Sequence, residues 1–289
     1  MRIGILGSGF GFSTYLPAIL KNNWTPVILS NKSIDENYFS IFKFKRQKIK
    51  FSDNVSELIS SVERIVVARP PKFQFDILQE LIEKKNIAHF YLEKPLAPSL
   101  ETYKQAIKDL IKHDSSFSIA YLLSYADWFN YLKNTIVNLD SNFTIIWEVS
   151  PMNNSWKMQS EDGGGLMLFY GTHILSLFFK LGINLKEIEV MGKKDQLFFC
   201  ATSNKFNIKV YIRKSIEYRF SLINNFRKKT IFNEKTPFGF SDRNTALDAR
   251  VVPLSKYLAD NNQSGVLKNF NLNQELYILG ALNKFKKFI

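Results

Sequence analysis

The chain's pattern predicts a doubly wound parallel α/β domain over residues 1–122, followed over residues 123–289 by an α+β domain with an open, mainly antiparallel sheet. Three observations point there. At about 150 residues per domain, 289 residues make two domains. The first 120 residues alternate short apolar runs with amphipathic stretches, as strands buried on both faces and joined by helices do. Beyond Leu123 the strand-like runs follow one another in mainly hairpin order.

In the first domain the strands are expected at Ile3–Leu6, Val27–Leu29, Ile65–Ala68, Ala88–Leu92 and Ser118–Leu122. Between them the spacing predicts helices over Thr14–Lys21, Val55–Ser61, Phe75–Lys85 and Leu100–His113, the alternation of a doubly wound sheet. In the second domain, strands are expected at Phe143–Val149, Ile188–Met191, Gln196–Ala201, Phe206–Ile212 and Tyr218–Asn224, with turns at Asn204-Lys205 and Lys214-Ser215. Two helices, near Ala246–Leu258 and Asn273–Phe288, close the chain.

Composition removes several function classes. Apolar residues make up 45% of the chain, enough for buried cores and against disorder. The balance of 39 Lys+Arg over 26 Asp+Glu, +13, raises nucleic acid or an anionic surface as a partner. The lysines come with many Asn, Ile and Phe, so the excess reads as compositional bias, and nucleic acid is not the expected partner. Cys200 is the single cysteine, which excludes an intrachain disulfide and a thiolate metal cluster and suggests a reducing compartment. His89, His113 and His173 lack the spacing of a zinc site, so no metal is expected. The N-terminal apolar run is too short for a signal peptide, and Leu166–Phe178 is too short to span a bilayer. A cytoplasmic protein without membrane contact is expected.

Gly7-Ser8-Gly9-Phe10-Gly11 lies between the first strand and the first helix. Glycines there allow a tight turn and let backbone amides approach a pyrophosphate at the helix N-terminus. A plain tight turn is the alternative, and the parallel sheet around the loop favours a dinucleotide. The third glycine of the fingerprint belongs at position 12, which is Phe12; Gly11 takes over part of its role if Phe12 points away from the helix–strand packing. After the second strand, Ser30-Asn31-Lys32 stands where an acid would bind the ribose of NAD. These three residues can instead donate to a 2′-phosphate, so NADP is expected to bind at least as tightly as NAD. The basic residues that follow, Lys43, Lys45, Arg46, Lys48 and Lys50, fit either that role or a solvated helix face.

Four motifs in order complete the reading: the glycine loop continuing to Leu16-Pro17-Ala18; Ala68-Arg69-Pro70-Pro71; Glu93-Lys94-Pro95; and Gly163-Gly164-Gly165 followed by Gly171 and His173. Together they resemble the Gfo/Idh/MocA oxidoreductases over nearly the whole chain. The resemblance implies a Rossmann domain binding NAD or NADP and a second domain carrying the substrate and a subunit interface, hence a homo-oligomer through the C-terminal sheet. It implies oxidation or reduction of a hydroxyl or ketone on a sugar, polyol or nucleotide-sugar, as in making a surface polysaccharide. Lys94 then lies near the nicotinamide and the reacting oxygen, and a lysine whose pKa is lowered by desolvation or other cations can move the required proton. Glu93, Arg69 and Pro70 border the cofactor cleft. Trp156 and Lys157 match an aromatic-basic pair on the substrate side.

The second catalytic position departs from the family. Phe169 stands where an Asp is usual four residues before His173, and Ser176 where a further acid is usual. Phenylalanine can neither orient an imidazole nor exchange a proton. Tyr170, three residues before His173, is the remaining hydroxyl on that side of the helix and a candidate acid or orienting donor. Gln74 also stands where a His is common. Two readings stay open, a working oxidoreductase and a catalytically degenerate homologue that binds dinucleotide or sugar as a partner or regulatory protein.

Overall fold

The structure, a computed structural model, describes residues 1–30, 48–84, 86–138, 141–150, 157, 159, 162–193, 195–239, 248–262 and 266–289. It divides into two compact units. The first comprises Met1–Ala97, Glu101–Ala120 and Ser241–Leu272, the second Pro98–Leu100, Tyr121–Phe240 and Asn273–Ile289.

The first unit is a parallel sheet of β1 (Arg2–Leu6), β2 (Thr25–Leu29), β3 (Lys50–Ser52), β4 (Arg64–Val67), β5 (His89–Leu92) and β6 (Phe117–Ile119). Its order, β3-β2-β1-β4-β5-β6, is that of a Rossmann fold, and the reversal between β1 and β4 opens a crevice at the carboxyl ends of those strands. Past their first residues the central strands are apolar and buried on both faces, with Ile3, Ile5, Ile65, Val66, Phe90 and Tyr91 sealed from solvent. The edge strand β3 goes unmarked in the sequence because Lys50 and Phe51 are exposed and no apolar run announces it. Helices α1 (Leu16–Lys21), α2 (Val55–Ser60), α3 (Pro71–Leu81) and α4 (Leu100–Lys112) connect the strands. The start of α2 is fixed by Asn54, whose side chain accepts the Glu57 N–H at 2.9 Å.

The second unit holds β7 (Ser141–Val149), β8 (Ile188–Lys193), β9 (Gln196–Thr202), β10 (Phe206–Lys214), β11 (Arg219–Asn224) and β12 (Lys229–Glu234) in the order β12-β11-β7-β10-β9-β8. Every pair but β7–β10 is antiparallel, so the sheet is mixed and mainly antiparallel. The expected turn at Lys214-Ser215 does not close a hairpin. β7 lies between β10 and β11 and pairs with both, and the Ser215 N–H bonds the Val149 carbonyl at 2.9 Å. Helix α5 (Asp127–Asn138) and strand β12, too polar to read as a strand, were not expected. Helix α6 (Thr172–Lys180) packs its buried face on this unit's core.

One assignment is corrected. Helix α7 (Val251–Asp260), expected in the second domain, belongs to the first unit, so the domain of residues 123–289 is not continuous. Leu254 and Leu258 are fully buried, Asn22 donates to the Ser255 carbonyl at 2.9 Å, and the Tyr257 hydroxyl donates to Ser118 Oγ at 2.7 Å. An apolar helical stripe shows that a face is buried but not on which sheet, because that choice rests on contacts far apart in sequence. The following helix, α8 (Val266–Lys284), begins well before the expected Asn273. Near Tyr257, the buried His89 ring lies between Ser116 Oγ at 2.8 Å and Ser118 Oγ at 2.9 Å. Burial, with the Arg64 cation adding to it, pushes the His89 pKa down to about 3.

Candidate active site

The glycine loop leaves β1 at the crevice. Gly7 has φ of +138°, and a Cβ there would sit 2.1 Å from the Ala68 carbonyl oxygen, so only glycine fits. Gly11 backs onto β1, where a Cβ would meet Ile5 Cγ2 at 3.0 Å, while Phe12 is half-buried. Gly11 thus takes the helix–strand packing position in place of residue 12. Gly9 is different: a Cβ there meets nothing within 4 Å. The protein's own packing does not require a glycine at 9, but a pyrophosphate approaching the backbone does, so the loop fits a dinucleotide. A π-helical turn over Gly11–Tyr15 leads into α1 and turns Tyr15 inward.

The Tyr15 hydroxyl donates to Glu93 Oε1 at 2.7 Å, tying the loop to the Glu93-Lys94-Pro95 segment after β5. Burial raises the Glu93 carboxyl above its usual range, against the pull of the Tyr15 hydrogen bond and the Lys94 and Arg250 cations. Burial raises the Tyr15 hydroxyl too, with the charge of Glu93 adding to it. Gln74, from α3, is fully buried and clamps this segment. Its Oε1 accepts the Glu93 N–H at 2.9 Å, and its Nε2 donates to the carbonyls of Glu93 at 2.6 Å, Pro95 at 3.2 Å and Leu96 at 3.2 Å. The Lys94–Pro95 peptide is cis, and Lys94 is half-buried. Arg69 and Pro70 are exposed just beyond the Ala68 carbonyl that backs Gly7.

At the end of β2, the exposed Ser30 hydroxyl donates to Asp53 Oδ1 at 3.2 Å, and the Ser30 N–H bonds the Ser52 carbonyl at 2.7 Å. An acid, supplied by the residue after β3, therefore stands beside Ser30. Asn31, Lys32, Lys43, Lys45 and Arg46 lie outside the described residues, while Lys48 and Lys50 are exposed. A second group reaches the glycine loop from the far end of the sequence. Arg250 places its guanidinium carbon 4.4 Å from the centre of the Phe10 ring and pairs with Asp248. Sequence reasoning missed Asp53, Asp248 and Arg250 because no spacing links them to the loop.

In the second unit Gly163 and Gly165 both have φ of +84°, and the Gly164 N–H bonds the Gln159 carbonyl at 2.8 Å. The chain then winds as a π-helical stretch over Leu166–Gly171 before α6. The four-residue spacing of an α-helix therefore does not apply between 169 and 173. Trp147 organises the group instead: its ring lies 5.2 Å from Tyr170 and 5.8 Å from His173, and the Tyr121 ring meets His173 edge-on at 6.0 Å. Phe169 is half-buried, 4.8 Å from the Tyr170 ring, with Lys157 Nζ 5.7 Å from its centre. Burial raises the Tyr170 hydroxyl far above its usual range, with the charge of Tyr218 adding to it. Trp156 lies outside the described residues. Among the described residues no group of three His, Cys, Asp or Glu could hold a metal, and no helix is long and apolar enough to cross a membrane.

Residues 1–121 match the family described as the oxidoreductase family, NAD-binding Rossmann fold. No curated protein sequence matches the chain. Solved structures share its fold at low identity. The WlbA (WbpB) dehydrogenase of Thermus thermophilus, in complex with NAD and alpha-ketoglutarate, is 16% identical with a TM-score of 0.65, over 99% of this chain and 95% of that one. A myo-inositol dehydrogenase from Corynebacterium glutamicum is 14% identical with a TM-score of 0.67, over 99% and 96%. A super-repressor mutant of Gal80p from Saccharomyces cerevisiae is 14% identical with a TM-score of 0.69, over 99% and 95%. The sheet order, the glycine loop and the match over residues 1–121 show this region to be a Rossmann domain of the kind found in the Gfo/Idh/MocA oxidoreductases.

Proposed function

We propose that the protein is a nicotinamide-dinucleotide-dependent oxidoreductase acting on a hydroxyl or ketone of a sugar, polyol or nucleotide-sugar. The observation that carries this reading is the buried frame around Lys94: Gln74 and Tyr15 fix Glu93 beside a glycine loop whose Gly9 has no packing reason of its own. The WlbA dehydrogenase, also solved with NAD and UDP-GlcNAcA, supports a nucleotide-sugar as substrate class.

When bound, the nicotinamide supplies or accepts the hydride. Gly7, Ser8, Gly9, Phe10 and Gly11 hold the pyrophosphate through backbone amides and the helix N-terminus. Lys94 exchanges the proton on the reacting oxygen, and Glu93, held by Tyr15, fixes the segment that carries it. His173, Tyr170 and Lys157, in the second unit, are assigned to substrate binding, with Tyr170 as donor. At the ribose end, an NADP-favouring site was expected for lack of an acid. Asp53 beside Ser30 argues for NAD instead, because its carboxylate accepts from a ribose hydroxyl and repels a 2′-phosphate.

A homo-oligomer through the second sheet is supported by that sheet's outer face. Met191, Phe198, Tyr211 and Ile146 register side by side across four strands, and Met191 is 54% exposed. Phe198→Glu should shift the wild-type oligomer to smaller species on light scattering. Cys200, the only cysteine, fits a reducing compartment such as the cytoplasm.

Phe169, in place of the family's acid, favours a second reading, a binding protein without turnover. Quenching of NADH or NADPH fluorescence, followed by an assay on keto-sugars, separates the two. Quenching with turnover supports the enzyme, quenching alone supports the second reading, and no quenching removes both.

A further inference from the structure

We propose that Arg250 is a phosphate-binding residue of the dinucleotide site, brought onto the glycine loop by the segment that returns to the first unit. This rests on the dinucleotide-binding reading above.

The position is specific. Phe10 is the residue between Gly9 and Gly11, in the loop whose backbone faces a pyrophosphate, and the Arg250 guanidinium carbon lies 4.4 Å from the centre of its ring. That is stacking distance for a guanidinium on an aromatic face. The same cation lowers the Glu93 carboxyl against burial, so its field also reaches the other strand end that borders the crevice.

The guanidinium is also held in place. Asp248 accepts from Arg250 Nε at 2.8 Å and from Nη2 at 2.5 Å, and its Oδ1 accepts the Arg250 backbone N–H at 2.9 Å. The carboxylate fixes the plane and the Phe10 ring fixes its tilt, so little rotamer freedom remains to be lost when an anion binds. A guanidinium presents its N–H donors in one plane and matches phosphate oxygens in fork geometry. The side chain remains 40% accessible, so an anion in the crevice can reach it. The stacking places the cation on the glycine loop itself, beyond its pairing with Asp248.

The test is equilibrium titration of the full chain with NAD, ADP-ribose and adenosine, for wild type, Arg250→Ala and Arg250→Lys. Loss of one or two charge-assisted hydrogen bonds in Arg250→Ala should raise Kd for NAD and ADP-ribose by about 10- to 100-fold and leave adenosine unchanged. Arg250→Lys, which keeps a cation but not the fork, should fall between. If Arg250→Ala does not fold, by circular dichroism, the lysine variant decides alone, and wild-type affinity for ADP-ribose in it overturns the proposal. Unchanged affinity in a folded Arg250→Ala, or equal weakening of adenosine, also overturns it and leaves the dinucleotide-binding reading standing. Wild type that binds neither NAD nor ADP-ribose removes that reading and the proposal with it.

Discussion

The segment around Lys94 in the first unit and the helix that carries His173 in the second each hold candidate site residues, yet they are held by different forces. Around Lys94, buried polar groups are paired one by one: Tyr15 to Glu93, and Gln74 to the backbone of three residues. Around His173, aromatic rings do the holding, with Trp147 touching both Tyr170 and His173. A paired polar network permits one arrangement, because an unpaired buried group is costly, whereas ring packing tolerates exchange of one apolar shape for another. The first half should therefore be brittle and the second permissive.

Breaking the brittle half at its tightest point should have the largest effect. Gly7→Ala places a Cβ against the Ala68 carbonyl at positive φ, and should cost more than about 4 kcal/mol and abolish NADH quenching. A folded variant that still quenches would show that the loop can move away. Lys94→Ala should lower turnover by about 10² to 10⁴ with NAD affinity unchanged, as expected for a positioned proton carrier. Full activity would take Lys94 out of the mechanism. Gln74→Leu strands the Glu93 N–H and three carbonyls, and should cost about 2–3 kcal/mol in chemical denaturation. A loss near zero would mean that the clamp is dispensable.

A pH series sharpens the comparison within the first unit. The folded protein keeps His89 neutral down to about pH 3, whereas an unfolded chain protonates it near 6.5. The unfolded state thus binds the extra proton in acid, so the contribution of His89 is full above about pH 6.5 and declines as pH falls, by up to about 1.4 kcal/mol per pH unit. His89→Gln should flatten that slope between pH 6.5 and 4, and an unchanged slope assigns the acid sensitivity elsewhere. The smallest effect is expected in the permissive half. An apolar pocket would penalise Phe169→Asp, but Phe169 is half-buried and Lys157 lies over its ring, so the change should cost only about 1 kcal/mol. Loss of folding would show the aromatic half to be as brittle as the other.

These contrasts also explain what was legible in the sequence. The parallel sheet was readable because Ile3–Leu6 and Ile65–Ala68 are short apolar runs separated by helical periodicity, a local signal. The glycine loop was readable for the same reason. The place of β7 between β10 and β11 was not, since β7 alternates buried and half-buried residues like β10 and nothing local names its partners. Gln74 looked like a departure from the family and is a clamp, because its partners lie about 20 positions away. Arg250 and Asp53 were invisible for the same reason, as polar residues at strand and helix ends whose meaning depends on who folds beside them.

The return of Ser241–Leu272 to the first unit has a consequence for how the chain is made. On the ribosome an N-terminal domain usually completes itself while the rest is still being synthesised. Here the β6 residue Ser118 awaits the hydroxyl of Tyr257, and Asn22 awaits the carbonyl of Ser255. The first unit therefore cannot finish until residues Tyr121–Phe240 of the second have been translated. The nascent unit waits with the surface meant for Leu254 and Leu258 uncovered, an interval in which a chaperone has something to hold.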